Sequence, residues 1–150
     1  YRGIPLAVTA ACALARRGRV VSVTFNRKEA KDHGEGGALI GHKYAAGNRV
    51  VIVEDVITAG TSVSESVPLI RATAGVSLTG LLVAVDRQEK GPGGQAALVE
   101  VRERYGLAAR AIVTMDEIVA YLRDRESGGK RILDDAMLVR IAEYRATYGA

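Results

Sequence analysis

The chain has 150 residues, about the size of one domain, and its 48% hydrophobic and 25% charged residues make it too apolar for a disordered segment. Its 21 basic and 17 acidic residues leave a net charge of +4, a weak bias toward anionic partners rather than the dense basic stripe of a nucleic-acid binder. No uncharged apolar run reaches the roughly 18 residues of a membrane-spanning helix, and a single cysteine, Cys12, excludes an internal disulfide and a cysteine-built metal site.

In chain order, Pro5, an Ala-rich stretch and Gly18 predict a helix over 6–17, in which Cys12 is expected to be a buried thiol suited to a reducing cytoplasm. The β-branched RVVSVTFN at 19–26 predicts a strand. RKEAKDHGEGG at 27–37 has no apolar period and predicts a loop, after which strand signals resume near Ala38 and His42 reads as a polar residue beside a strand. RVVIV at 49–53 predicts a strand covered on both faces. Ser62 and Glu65 form a capping box for a helix to about Ala74, stopped by Gly75, with Pro68 expected to kink it. A strand over 78–85, a loop over 89–94, a helix over 95–105 ended by Gly106 and a strand over 109–113 follow. Thr114 and Glu117 cap a helix to about Arg125, SGG at 127–129 breaks it, and Met137, Ile141, Tyr144 and Tyr148 share a face of the last helix, which suggests core packing. This alternation predicts one α/β domain over 1–150, a mainly parallel sheet flanked by helices, with ligand chemistry at the carboxyl ends of its strands.

The most informative segment is VVIVEDVITAGTS at 50–62. A buried strand delivers two carboxylates, Glu54 and Asp55, and then a turn of small residues, Thr58, Ala59, Gly60, Thr61 and Ser62, into a helix. Backbone N–H groups, hydroxyls and the helix dipole there favour a phosphate monoester. The carboxylates can accept hydrogen bonds from ribose hydroxyls or stabilise positive charge at an anomeric carbon. Together they suit a sugar phosphate, although the turn alone would also serve as a capped connection with solvated acids. Neither a P-loop nor a dinucleotide-binding glycine motif is present.

This segment resembles the 5-phosphoribosyl-1-pyrophosphate (PRPP) motif of type I phosphoribosyltransferases. The resemblance implies that the turn from Thr58 to Ser62 holds the 5-phosphate of PRPP, that Val56 and Ile57 also bind PRPP, and that Glu54 and Asp55 face its ribose. The 27–37 stretch, by composition a solvated loop, could also act as a lid whose cations cover a departing pyrophosphate. FNRKEAKDHGEGG at 25–37 is similar, almost residue for residue, to the catalytic loop of orotate phosphoribosyltransferase. That family joins orotate to PRPP, giving orotidine 5′-monophosphate and pyrophosphate in pyrimidine synthesis, with magnesium carried on PRPP and no direct protein ligand implied. Its sites are shared in a homodimer: the likeness implies that Arg27, Lys31 and His33 reach the neighbour's PRPP while Lys28 serves its own. Lys31, His33 and Asp55 are the catalytic residues so implied.

YRGIPLA at 1–7 resembles the family's pyrophosphate loop, placing Tyr1 and Arg2 on PRPP, with Arg2 where lysine is usual. DRQEKG at 86–91 places Arg87 against orotate, with Thr58 nearby; read without the family, Arg87 is a solvated strand-end charge. The likeness covers essentially all 150 residues but not the family's N-terminal hood, so the sequence is read as part of a longer cytoplasmic enzyme. Two rival readings are a PRPP-sensing regulator, which would have no use for Lys31 and His33, and a phosphoribosyltransferase for another base, to which Arg87 is less suited.

Overall fold

Strands and helices alternate along the chain in a computed structural model that describes residues 2–31 and 37–150, with side chains for all of these except 27–31, 37 and 38. The order is α1 (Gly3–Arg16), β1 (Thr24–Lys31), β2 (Gly37–Gly41), β3 (Arg49–Ile57), α2 (Thr61–Arg71), β4 (Ser77–Asp86), α3 (Ala97–Tyr105), β5 (Ala108–Thr114), α4 (Met115–Leu122), β6 (Glu126–Ser127), β7 (Lys130–Arg131) and α5 (Asp135–Tyr148). The strands expected over 49–53, 78–85 and 109–113 form one parallel sheet in the order β3-β4-β5, with helices as its crossovers. β1 with β2 and β6 with β7 form separate antiparallel pairs.

The chain divides into two compact units. The first holds residues 1–55 and 62–81. Val63, Val67 and Ile70 recur at helical spacing along α2 and are buried, as are Ile52 of β3 and Leu81 of β4. Here β3 and β4 start side by side: Ser77 N–H donates to Asn48 O at 2.8 Å and Thr79 Oγ1 to Val50 O at 3.1 Å. Pro68 falls in the last turn of α2, and the helix continues past it to Arg71. α2 already includes Thr61, so Ser62 lies inside the first turn and is not the capping residue expected of it.

Two other expectations for this unit are corrected and one is met. The strand expected over 19–26 begins at Thr24 and runs to Lys31, through the first part of the expected loop. The reason is a partner: β2 pairs with it, Phe25 opposite Ile40 and Lys31 opposite Gly37, and cross-strand hydrogen bonding overrides a polar composition. Cys12 is exposed rather than buried, because α1 buries only Gly3 and leaves Leu6 and Val8 at 37% and 44% exposure. His42 stands beside a strand as expected, its Nε2 at 3.1 Å from Asn48 Oδ1.

The second unit holds residues 56–61 and 82–150. Its core is Ile57, Val83 of β4, Ala97, Leu98 and Val101 of α3, Leu107, Ala109 of β5 and Leu133. Here α3 ends at Gly106 as expected. The capping box on α4 is formed: Thr114 Oγ1 accepts from Glu117 N–H at 3.2 Å and Glu117 Oε2 accepts from Thr114 N–H at 2.7 Å. The Thr114 N–H, and then the Thr114 hydroxyl, which also donates to Glu117 Oε2 at 2.8 Å, hold the Glu117 carboxyl below its ordinary range. Its contribution is therefore complete above the usual glutamate range and is lost as pH falls through the lower native value. Thr114→Ala is expected to lose about 1 kcal/mol in denaturant unfolding at neutral pH, and its acid unfolding should begin from that lower plateau; an unchanged midpoint would deny the cap any weight.

α4 stops at Leu122 rather than Arg125, and SGG is the turn of the β6–β7 hairpin, with Gly128 and Gly129 at φ 60° and 74°, both left-handed as a two-residue hairpin turn requires. α5 starts on an Asp134 cap, which accepts from Met137 N–H at 2.7 Å, but buries none of its residues. Tyr144 and Tyr148 on the face expected to be core are instead exposed at 39% and 53%.

Candidate active site

β3 runs unbroken through Glu54 and Asp55 to Ile57, so the acidic pair lies within the strand, and strand alternation turns the two side chains to opposite faces. Both are half-buried. In the same unit the first turn of α1 comes against this part of β3. A Cβ on Gly3 would meet Val53 O at 2.5 Å and Glu54 Oε2 at 3.2 Å, so only glycine permits the approach. Gly3, Ile4 and Pro5 are therefore helical rather than loop, a correction to the segment read as a pyrophosphate loop, and Pro5 is tolerated in a first turn that lacks intrahelical acceptors for its N–H groups. Arg2 stands at the N-cap of α1 and is exposed, whereas Tyr1 lies outside the described residues.

In the second unit, Val56 and Ile57 lead into the turn. Thr58 and Ala59 are exposed, and Gly60 is buried with φ +75°, the left-handed region that lets the chain reverse into α2. Behind Gly60 stands Val101 of α3, whose Cγ2 would lie 3.4 Å from an added Cβ. Exposed Thr61 ends this stretch of the second unit as the first residue of α2; from Ser62, also exposed, α2 belongs to the first unit, and a helix's first turn presents N–H groups without intrahelical acceptors and the positive end of its dipole. Arg87 N–H donates to Ile57 O at 3.4 Å, bringing the segment after β4 beside the start of the turn.

The Arg87 side chain is not a solvated charge. Its Nε–H donates to Glu89 Oε1 at 2.8 Å and its Nη2–H to Tyr144 Oη at 2.6 Å, and Tyr144 O–H donates in turn to Glu89 Oε1 at 2.7 Å. The guanidinium also lies 5.3 Å from the centre of the Tyr144 ring. Donation to the Glu89 carboxylate, then burial, pushes the Tyr144 phenol above its ordinary value. Gln88, between Arg87 and Glu89, has a left-handed φ of 56°, the one non-glycine instance among the described residues. Its amide is held on both sides: Nε2–H donates to Asp116 Oδ2 and Oε1 accepts from Asp116 N–H, each at 2.9 Å, while Asp116 pairs with Arg145. Buried Asp86 accepts from Gln88 N–H at 2.8 Å.

Arg27, Lys28 and Lys31 fall on β1, but their side chains, like the whole of His33, lie outside the described residues. Glu89 and Tyr144 were not expected at the site. Glu89 left no signal, since left-handed Gln88 breaks strand alternation between it and Arg87; Tyr144, 57 residues away, left no local signal either.

The chain matches no protein-family model. Over 151 aligned residues, 100% of its length, it is 49% identical to orotate phosphoribosyltransferase of Clostridium botulinum, of which it covers 67%. It is 48% identical to the enzyme of the same name from Thiobacillus denitrificans, with 99% and 66% of the two chains covered. The chain belongs to the orotate phosphoribosyltransferase family. A crystal structure of the family from Francisella tularensis superposes on all of it with a TM-score of 0.70 at 25% identity, the chain covering 65% of that protein. The type I phosphoribosyltransferase fold, with its parallel sheet flanked by helices, is thereby borne out. So is the enzyme class, a phosphoribosyltransferase of pyrimidine biosynthesis. The chain spans about two thirds of the length of these relatives. Among the described residues no helix is long and apolar enough to cross a membrane.

Proposed function

We propose that the turn from Thr58 to Ser62 binds the 5-phosphate of PRPP and that orotate is joined to the anomeric carbon of its ribose as pyrophosphate leaves. The observation that carries this reading is the passage of β3, through an acidic pair, into an exposed turn at the N-terminus of α2, made possible by left-handed Gly60. Phosphate oxygens accept from the backbone N–H groups of that first turn and from the hydroxyls of Thr58, Thr61 and Ser62. From the two faces of β3, one carboxylate of the pair Glu54 and Asp55 accepts from ribose hydroxyls, and the charge of both stabilises the cationic anomeric carbon as its bond to pyrophosphate breaks. Arg2 and Tyr1, with Arg27, Lys28, Lys31 and His33, serve the diphosphate. Arg87, with Thr58, faces the base.

The described residues hold no group of three His, Cys, Asp or Glu side chains able to cage a metal. Adjacent strand positions also offer one carboxylate, not two, to a single ion. That donor set fits a magnesium ion that arrives on the diphosphate and keeps water and phosphate oxygens as its main ligands, where it would neutralise leaving-group charge. A homodimer in which Arg27, Lys31 and His33 serve the partner's site is part of the same reading, as is a cytoplasmic location.

The test supplies the full-length protein with magnesium and PRPP together with orotate, uracil or a purine base. Pyrophosphate release with orotate alone is expected. Release only with another base would reassign the substrate, and PRPP binding without turnover would favour the regulator. Lys31→Ala should lower turnover about a hundredfold, the equivalent of 2.7 kcal/mol of transition-state stabilisation, while PRPP affinity changes little. A loss of PRPP affinity with turnover unchanged would place Lys31 in ground-state binding. Mixed dimers of Lys31→Ala and Asp55→Asn chains should regain activity, since one of their two sites carries neither lesion; no recovery in dimers confirmed by mass would confine the loop to its own subunit.

A further inference from the structure

We infer that Tyr144 and Glu89 are positioning residues that set which edge of Arg87 faces the base, an inference that rests on the reading of Arg87 as the base-facing cation. A guanidinium offers two forks of parallel N–H donors, a lateral one from Nε and Nη2 and a terminal one from Nη1 and Nη2. Glu89 takes the Nε–H and Tyr144 takes an Nη2–H, so the lateral fork is consumed. The hydrogen bond from Tyr144 to Glu89 closes the three groups into a ring, which fixes the rotation of the guanidinium plane as well as its position. What remains is the terminal fork, whose Nη1 has no partner among the described residues. A planar acceptor pair fits that fork: a carboxylate, or two neighbouring carbonyl-type oxygens of a pyrimidine acid.

The backbone supports the ring from both sides. Lys90 N–H donates to Tyr148 O and Ala150 N–H to Gln88 O, each at 2.9 Å, tying the end of α5 to the segment that carries Arg87 and Glu89. The left-handed Gln88 between them is held by the two amide bonds to Asp116. A strained residue held this firmly in a segment between β4 and α3 is the pattern of a group kept in one orientation for a ligand. Without the phenol, a flexible arginine would sample other rotamers, and the fork would be shared between water and base.

Tyr144→Phe keeps the ring and removes the two hydrogen bonds of the hydroxyl. In the full-length protein the KM for orotate is expected to rise about tenfold, the scale of one lost hydrogen bond to a charged group. The Kd for PRPP and the thermal midpoint should stay at their wild-type values. Glu89→Gln, which keeps the side-chain shape and weakens the hold on Nε–H, should raise the orotate KM in the same direction and serves if Tyr144→Phe does not fold. In the Arg87→Ala background Tyr144→Phe should add nothing, because its effect passes through Arg87. If Arg87→Ala raises the orotate KM but both single variants leave it unchanged, the positioning role is overturned and the base assignment stands. If Arg87→Ala itself leaves the orotate KM unchanged, the assignment of Arg87 to the base has failed. A tenfold effect of Tyr144→Phe that persists in the Arg87→Ala background would give Tyr144 a direct role and overturn the inference.

Discussion

Gly60→Val is expected to weaken PRPP binding by about two orders of magnitude, or 2.7 kcal/mol, in a protein that still folds. Two costs combine at this position. The backbone stands at φ +75°, where a β-branched residue is a genuine outlier and the strain is of order 1–2 kcal/mol. The added Cβ would meet Val101 Cγ2 at an ordinary 3.4 Å, so the packing against α3 tolerates the first carbon and strain accounts for the loss of stability. Affinity suffers separately: a branched side chain at the turn reorients the N–H groups of the first turn of α2 that the 5-phosphate needs. Gly60→Ala separates the two, with a similar loss of stability and a smaller loss of affinity. Titration calorimetry with magnesium and PRPP on a folded Gly60→Val protein decides the matter, and unchanged affinity would remove the phosphate from this turn.

Gly3→Ala should cost about 1–3 kcal/mol of stability. The sign is the informative part, because by helix propensity alone alanine within a helix gains close to 1 kcal/mol over glycine. The first turn of α1 lies so close to β3 that the new Cβ would stand 2.5 Å from Val53 O, and a backbone carbonyl inside a strand cannot swing aside. Either α1 moves or β3 bends next to Glu54, and both alter the acidic segment. Denaturant unfolding with an unchanged slope and a lowered midpoint is the expected record; a raised midpoint would mean that the approach of α1 to β3 is looser than described.

Elements decided by near neighbours could be read from the residues. The α4 cap needs only Thr114 and Glu117, three positions apart, and the stop of α3 needs only Gly106. Continuous apolar runs likewise announced β3, β4 and β5 and hence the parallel sheet. The turn from β3 into α2, to which we assign the phosphate, was legible as a turn for the same reason, since its residues are consecutive. What failed depended on distant partners. β1 extends through polar residues because β2 pairs with it, and Cys12 is exposed because nothing in its own helix determines what covers it. The hydroxyl held against Arg87 belongs to a helix whose pattern suggested a core, and only the fold brings Tyr144 to the arginine.

That separation has a consequence for how the molecule assembles. Bonds between residues 57 apart close a long loop, and the entropy of closing it is lost before the contacts can repay it. The capped α4 and the α3–β5 connection can organise on local contacts, whereas the Arg87 segment acquires its shape only when the end of α5 arrives. Base recognition is therefore expected to be the last part of this unit to form and the first to open. Substitutions at Tyr144 or Tyr148 that destabilise the fold should then speed unfolding while leaving the folding rate nearly untouched. Amide protons at Lys90 and Ala150 should exchange through a smaller opening than those of the central strand β4.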